Sequence, residues 1–142
     1  MSLIARQKAV DAVMAAYQGQ AFVWGRRDCA RMAACLVKAM GHKVLLVRFG
    51  AYRTVAGALS AIRRGGYASV EAMLDERFAR IPAASALPGD ILALPSELPF
   101  PALAIYVGNG AALHSWQGLF TVSRVLTSEA AWRVPPVGGA HG

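Results

Sequence analysis

Phe22-Val23-Trp24-Gly25-Arg26-Arg27-Asp28-Cys29-Ala30-Arg31-Met32 is the stretch on which the reading of the chain turns. An aromatic and apolar run stops at Gly25, two arginines follow, and Asp28-Cys29 opens a segment whose apolar residues recur at helical spacing: Met32, Ala33, Leu36, Val37 and Met40. Asp28 is suited to cap that helix, because its carboxylate accepts the unpaired backbone N–H groups of a first turn. Gly41 supplies the stop just past the helix end. Cys29 then lies in the first turn, where the helix dipole and Arg26, Arg27 and Arg31 favour thiolate over thiol. The plainer reading of the same position is a small buried hydrophobe, the usual state of a free cysteine.

Toward the N-terminus, Ser2 is placed to cap a helix running to about Gln18, with Val10, Val13, Met14 and Tyr17 as its apolar stripe and Gly19 as its end. Beyond Gly41, Val44–Val47 reads as a short strand or an extended loop. Thr54 caps a helix over Val55–Arg64 that stops at Gly65-Gly66, and Ser69 caps a shorter one from Val70 to about Phe78. From Arg80 onward, prolines and glycines punctuate apolar runs at Ile91–Leu94, Leu103–Val107, Ala111–Ser115 and Leu119–Val125, which read as strands. Gly108-Asn109-Gly110 is a hairpin signal, since Asn and Gly accept positive φ at little cost. One helical turn is expected at Thr127–Ala131, a last strand at Trp132–Val134, and a flexible tail over residues 135–142. Helices first and an antiparallel sheet second argue for an α+β fold, with residues 1–134 as a single domain.

Composition narrows the classes. Of 142 residues 56% are hydrophobic, enough for a real core, yet no run approaches the roughly 18 apolar residues of a membrane span. Arg6, Lys8 and Asp11 interrupt any leader-like apolar segment, so the reading is a soluble product of cytoplasmic synthesis with no membrane partner. Fifteen basic against eight acidic residues give a charge of +7, compatible with nucleic acid, an acidic partner or anionic cell wall. The basic residues are scattered, with doublets only at Arg26-Arg27 and Arg63-Arg64, so a nucleic-acid-binding module ranks third among the readings below. Cys29 and Cys35, six positions apart on one helix, are separated by about 9 Å of rise. A disulfide needs Cα atoms within about 7 Å, so both are read as free thiols. No Cys/His cluster has ligand spacing; neither a metal nor a cofactor is expected.

Several of these segments carry a resemblance. The aromatic-Gly-link-Asp-Cys pattern at a helix start is similar to the nucleophile segment of NlpC-type papain-like cell-wall cysteine peptidases, which cut peptidoglycan stem peptides and which many tailed phages carry at the tail tip. Leu87-Pro88-Gly89-Asp90-Ile91-Leu92 resembles their lead-in to the first core strand. Ala102-Leu103-Ala104-Ile105-Tyr106-Val107-Gly108-Asn109-Gly110 resembles their His-Val-Gly-Ile-Tyr strand and hairpin. His114 falls where the family often has a second histidine. The resemblance spans roughly Phe22 to His114 and implies a papain-like NlpC fold, with N-terminal helices packed on the sheet.

It also implies a lesion. The family's catalytic base stands first in that strand, where this chain has Ala102, and the usual Asp-Cys-Ser-Gly continues here as Asp28-Cys29-Ala30-Arg31. A methyl group accepts no proton. The first reading is therefore a non-enzymatic structural component of a phage or phage-derived tail tip or baseplate, assembled into the virion tail and contacting hub and distal tail proteins through anchors such as Trp116, Trp132, Arg124 and Arg133. The second is an active peptidoglycan endopeptidase or amidase, with His114 turned inward to serve Cys29 as its base. Asp28 and Asp90 read as structural, and Glu71, Asp75 and Glu76 as solvated charges. His42 reads as a helix-end histidine and His141 as part of the tail.

Overall fold

The computed structural model describes residues 3–44, 51–125 and 127–137. These form α1 (Leu3–Tyr17), α2 (Cys29–Ala39), α3 (Val55–Arg64) and α4 (Val70–Arg77), followed by β1 (Arg80–Ile81), β2 (Ile91–Leu94), β3 (Ala102–Gly108), β4 (Ala111–Trp116), β5 (Leu119–Arg124) and β6 (Ala130–Trp132). The fold is α+β, the helices preceding a six-stranded antiparallel sheet of order β1-β6-β2-β3-β4-β5. Among the described residues no helix is long and apolar enough to cross a membrane.

The local start signals behave as capping chemistry demands. Asp28, Thr54 and Ser69 are extended and accept the N–H of Arg31, Gly57 and Ala72 respectively. Gly41 has φ +98°, and a Cβ there would lie 2.3 Å from the Val137 carbonyl oxygen, so this helix stop tolerates only glycine. The turn between β3 and β4 places Gly108, Asn109 and Gly110 at positive φ, with a register shift beside it. Ser2, the proposed cap of α1, lies outside the described residues, as do Leu45–Val47 and His141.

Alternation along the strands divides the side chains between two layers. Ile91, Ala93, Leu103, Ile105, Leu113, Phe120 and Trp132 face the helices and join Val13, Met32, Leu36, Val37 and Met40 in the main core. Leu92, Ala104, Ala112 and Ala131 form a small second cluster on the opposite face.

Three expectations change. Thr127–Ala131 is not a helical turn: the Glu129 N–H donates to the Ala93 carbonyl, and Ala130–Trp132 pairs with both β1 and β2. Pairing on both sides, with β1 and with β2, holds as a strand a segment too short to sustain a helix. Trp132 is not a surface anchor: it is fully buried, and its Nε1–H donates to Asp75 Oδ1 at 2.8 Å. Asp75 is therefore a tether as well as a solvated charge, since it also accepts both Nε and Nη2 of Arg80 at 2.7 and 3.1 Å. Those arginine bonds, then the Trp132 bond, hold its carboxyl below the usual carboxylate range. Finally, residues 135–137 do not fray. The Val137 N–H donates to the Met40 carbonyl, and His42 Nε2 contacts the Pro135 carbonyl at 2.7 Å.

One buried polar cluster fastens α1 to the sheet. Arg6, fully buried, donates to Asp90 Oδ1 and to the carbonyls of Pro88 and Val134. Asp90 also accepts the N–H groups of Leu87 and Val134. Arg133 Nε lies 3.0 Å from Asp90 Oδ2 but makes no aligned hydrogen bond, so that contact is ionic only.

Candidate functional site

The site is built by the turn that precedes α2. Val23 and Arg27 close a tight loop by exchanging backbone hydrogen bonds. At its apex Gly25 has φ +77°, and a Cβ there would meet the Tyr52 carbonyl oxygen at 1.8 Å, so two backbones approach where only glycine fits. Asp28 is fully buried. Its Oδ1 accepts the Arg31 N–H at 2.9 Å, and its Oδ2 accepts the Gly25 N–H at 2.9 Å and the Tyr52 hydroxyl at 2.7 Å. Burial first, and the bond to Asp28 second, push the Tyr52 phenol well above its ordinary range. Tyr52 in turn carries the Arg31 guanidinium over its ring at 5.6 Å. Nothing local in the sequence marks Tyr52; it reaches the site across 24 positions.

Cys29 is the first residue of α2, as expected, and its side chain faces the sheet at Leu103. The expected thiolate character is not found. The thiol is pushed up to about 11, first by burial; hydrogen bonding from the backbone of Leu103, Cys29 and Ala30 opposes the shift, and the Asp28 charge adds to it. The helix start acts on the sulfur, but desolvation of a buried anion outweighs it. Arg31, one of the three arginines credited with stabilising a thiolate, instead packs against Tyr52. Both cysteines are free thiols, and Cys35 is likewise raised by burial.

Neither Ala102 nor His114 is at the sulfur. Ala102 pairs with Leu94, and by alternation it shares the face of Ala104, away from α2. His114 follows Leu113, which faces the helices, and so projects from the other side of the sheet. Its Nε2 meets Ser123 Oγ at 2.5 Å, and its Nδ1 lies 3.3 Å from the Ser115 carbonyl. Turning the ring about its own bonds does not carry it through the sheet. A cysteine and its base must come within about 2.6–3.2 Å, and among the described residues the side chains facing Cys29 across the sheet supply no imidazole. The neighbour on that side is Leu103.

What the strands and helices do enclose is a cavity of about 400 Å³. Trp24, Cys29, Arg31, Tyr52, Phe100 and Leu103 belong to its wall, and Lys43, Glu76 and Arg77 lie at its polar margin. Aromatic edges organise one side, with Phe22 against Trp24 at 4.8 Å and Trp24 against Phe100 at 6.1 Å between ring centroids. The wall is mainly apolar, suited to holding a ligand and not to moving a proton. Among the described residues no group of three or more His, Cys, Asp or Glu could hold a metal ion.

No curated protein matches the chain. A family model matches residues 1–134, taking in the capped turn, Cys29 and every strand described above. The chain belongs to the family described as a domain of unknown function (DUF6950).

Proposed function

We propose that the chain is a non-hydrolytic relative of the NlpC-type papain-like peptidases, serving as a structural part of a phage or phage-derived tail tip beside hub and distal tail proteins. The observation that carries the non-hydrolytic half is the surrounding of Cys29: a buried thiol, its pKa pushed up by that burial, facing Leu103, with His114 on the opposite face of the sheet. Cysteine cleavage of an amide needs a base to take the thiol proton and an acid to return it to the leaving amine. General acid–base help of that kind is worth about 10²–10⁴-fold.

Kinship with the peptidases is supported by Cys29 at a capped helix start, packed on a strand with the Ile-Tyr-hydrophobic-Gly pattern. The tail-tip assignment rests on that resemblance alone. A surface suited to assembly exists at the β4–β5 hairpin, where Trp116 and Leu119 sit opposite each other and are 63% and 50% exposed.

Incubation of purified peptidoglycan and soluble stem peptides with the protein and with Cys29→Ala tests the first half. Both proteins are expected to leave the substrates uncut. Cleavage that Cys29→Ala abolishes would establish the amidase reading instead. Mixing the chain with tail hub and distal tail proteins from the same phage tests the second half: a complex weakened by Trp116→Ala is expected, and no complex with either removes the tail-tip assignment.

A further inference from the structure

We infer that the cavity beside Cys29 is a binding site for a small amphipathic carboxylate, its chain in the apolar interior and its head on Arg31. Three observations converge on that chemistry. The cavity, at about 400 Å³, lies within the range of small-molecule sites and has room for about a dozen non-hydrogen atoms at ~30 Å³ each. Its interior wall of Trp24, Phe100, Leu103 and Ile62 offers an apolar body dispersion contacts and offers almost nothing to a polar one.

The third observation fixes the sign of the head group. Arg31 lines the cavity; its Nε is closed to solvent and so to a ligand, which leaves the terminal Nη groups of this half-buried side chain as the donors a ligand meets. A guanidinium is met best by an oxyanion, whose charge-assisted hydrogen bonds are stronger than those of a neutral group. Asp28 does not serve it: its oxygens already accept from Gly25, the Arg31 backbone and Tyr52. Lys43 and Arg77 at the margin add positive potential, with Glu76 the acid beside them. The inference does not rest on the tail-tip assignment, and it requires no chemistry at the sulfur.

Calorimetric titration of the intact chain at neutral pH, with each probe below its micelle concentration, tests it. The probes are dodecanoate, dodecanol and dodecylammonium, which are close to one another in size. Dodecanoate is expected to bind at least about tenfold more tightly than dodecanol, as a charge-assisted hydrogen bond requires, and the ammonium more weakly than either. Arg31→Leu should erase the preference for dodecanoate over dodecanol and Arg31→Lys should keep part of it, while residual dodecanol binding to Arg31→Leu reports that the cavity still forms. Ala34→Trp, which fills the cavity, should abolish both. Dodecanoate bound to the Cys35→Ser variant should slow alkylation of Cys29. No binding of dodecanoate up to millimolar concentration overturns the inference. So does equal affinity for all three probes, binding unaffected by Arg31→Leu or Ala34→Trp, or alkylation of Cys29 that ligand does not slow.

Discussion

Cys29 shows how two neighbouring effects on one atom are weighed. The helix start and the nearby arginines lower a thiol pKa, while burial raises it, and burial prevails. The sign for stability follows. A thiol with a folded pKa raised from about 9 to about 11 binds its proton more tightly when folded. Its contribution is therefore fully present below pH 9 and is lost as the pH climbs through 11. At about 1.4 kcal/mol per unit this loss is on the order of 2–3 kcal/mol. Urea denaturation at mildly and strongly alkaline pH should show the midpoint falling in that window, and Cys29→Ala should flatten part of the fall. Tyr17, pushed up to about 12 mainly by burial, contributes in the same direction, so the variant does not remove all of it. A midpoint that rises with alkaline pH would contradict the assignment of a buried neutral thiol. Arg6 is the other residue on which much depends. Arg6→Ala leaves Asp90 buried with one poorly aligned cation, and should cost about 3–5 kcal/mol in the same assay. A loss below 1 kcal/mol would mean that the cluster is solvated.

At the scale of the element, the helices were easier to read than the sheet. Asp28, Thr54 and Ser69 announce their helices because a cap acts on residues within one turn. The spacing of Leu36 and Met40 marks their burial on α2 for the same reason. Leu36→Ala should cost about 2–5 kcal/mol, read from chemical denaturation, and a loss under half a kcal/mol would place that residue outside the core. Strand facing is different, because a single position exchanges the two sides. In Ala111-Ala112-Leu113-His114-Ser115-Trp116, Ala112 and Leu113 are buried on opposite faces, so hydropathy does not say which way His114 points. The same parity governs Ala102. Its histidine variant, the obvious repair of the resemblance, puts an imidazole on the far face of β3. Ala102→His is therefore expected to leave the alkylation rate of Cys29 at neutral pH unchanged; a marked acceleration would mean that the register of β3 against β2 is misassigned. β6 starts two residues before the strand expected at Trp132–Val134, inside the expected helical turn, because what holds it is pairing with β1 and β2, some 40 to 50 positions away.

At the scale of the whole molecule, the order of layers was readable from the order of segments, and the contacts joining the two ends were not. Arg6 to Asp90, Val134 to Asp90 and Val137 to Met40 bind the first helix, the strand lead-in and the C-terminal segment into one unit. None leaves a periodic signature, since each is a single polar pair between distant positions. The candidate site shares this division. Asp28, Cys29 and the turn at Gly25 were visible in sequence; Tyr52, Phe100 and the place of the Arg31 guanidinium over Tyr52 became visible only when α2, α3 and β3 met around one cavity. The account stands on the state of one sulfur. The most direct test is the pH dependence of Cys29 alkylation by iodoacetamide in the Cys35→Ser variant. The account predicts a rate that is slow at neutral pH and rises about tenfold per pH unit through the alkaline range, levelling only near pH 11. A plateau reached below pH 7, the mark of a thiolate paired with an imidazolium, would contradict it.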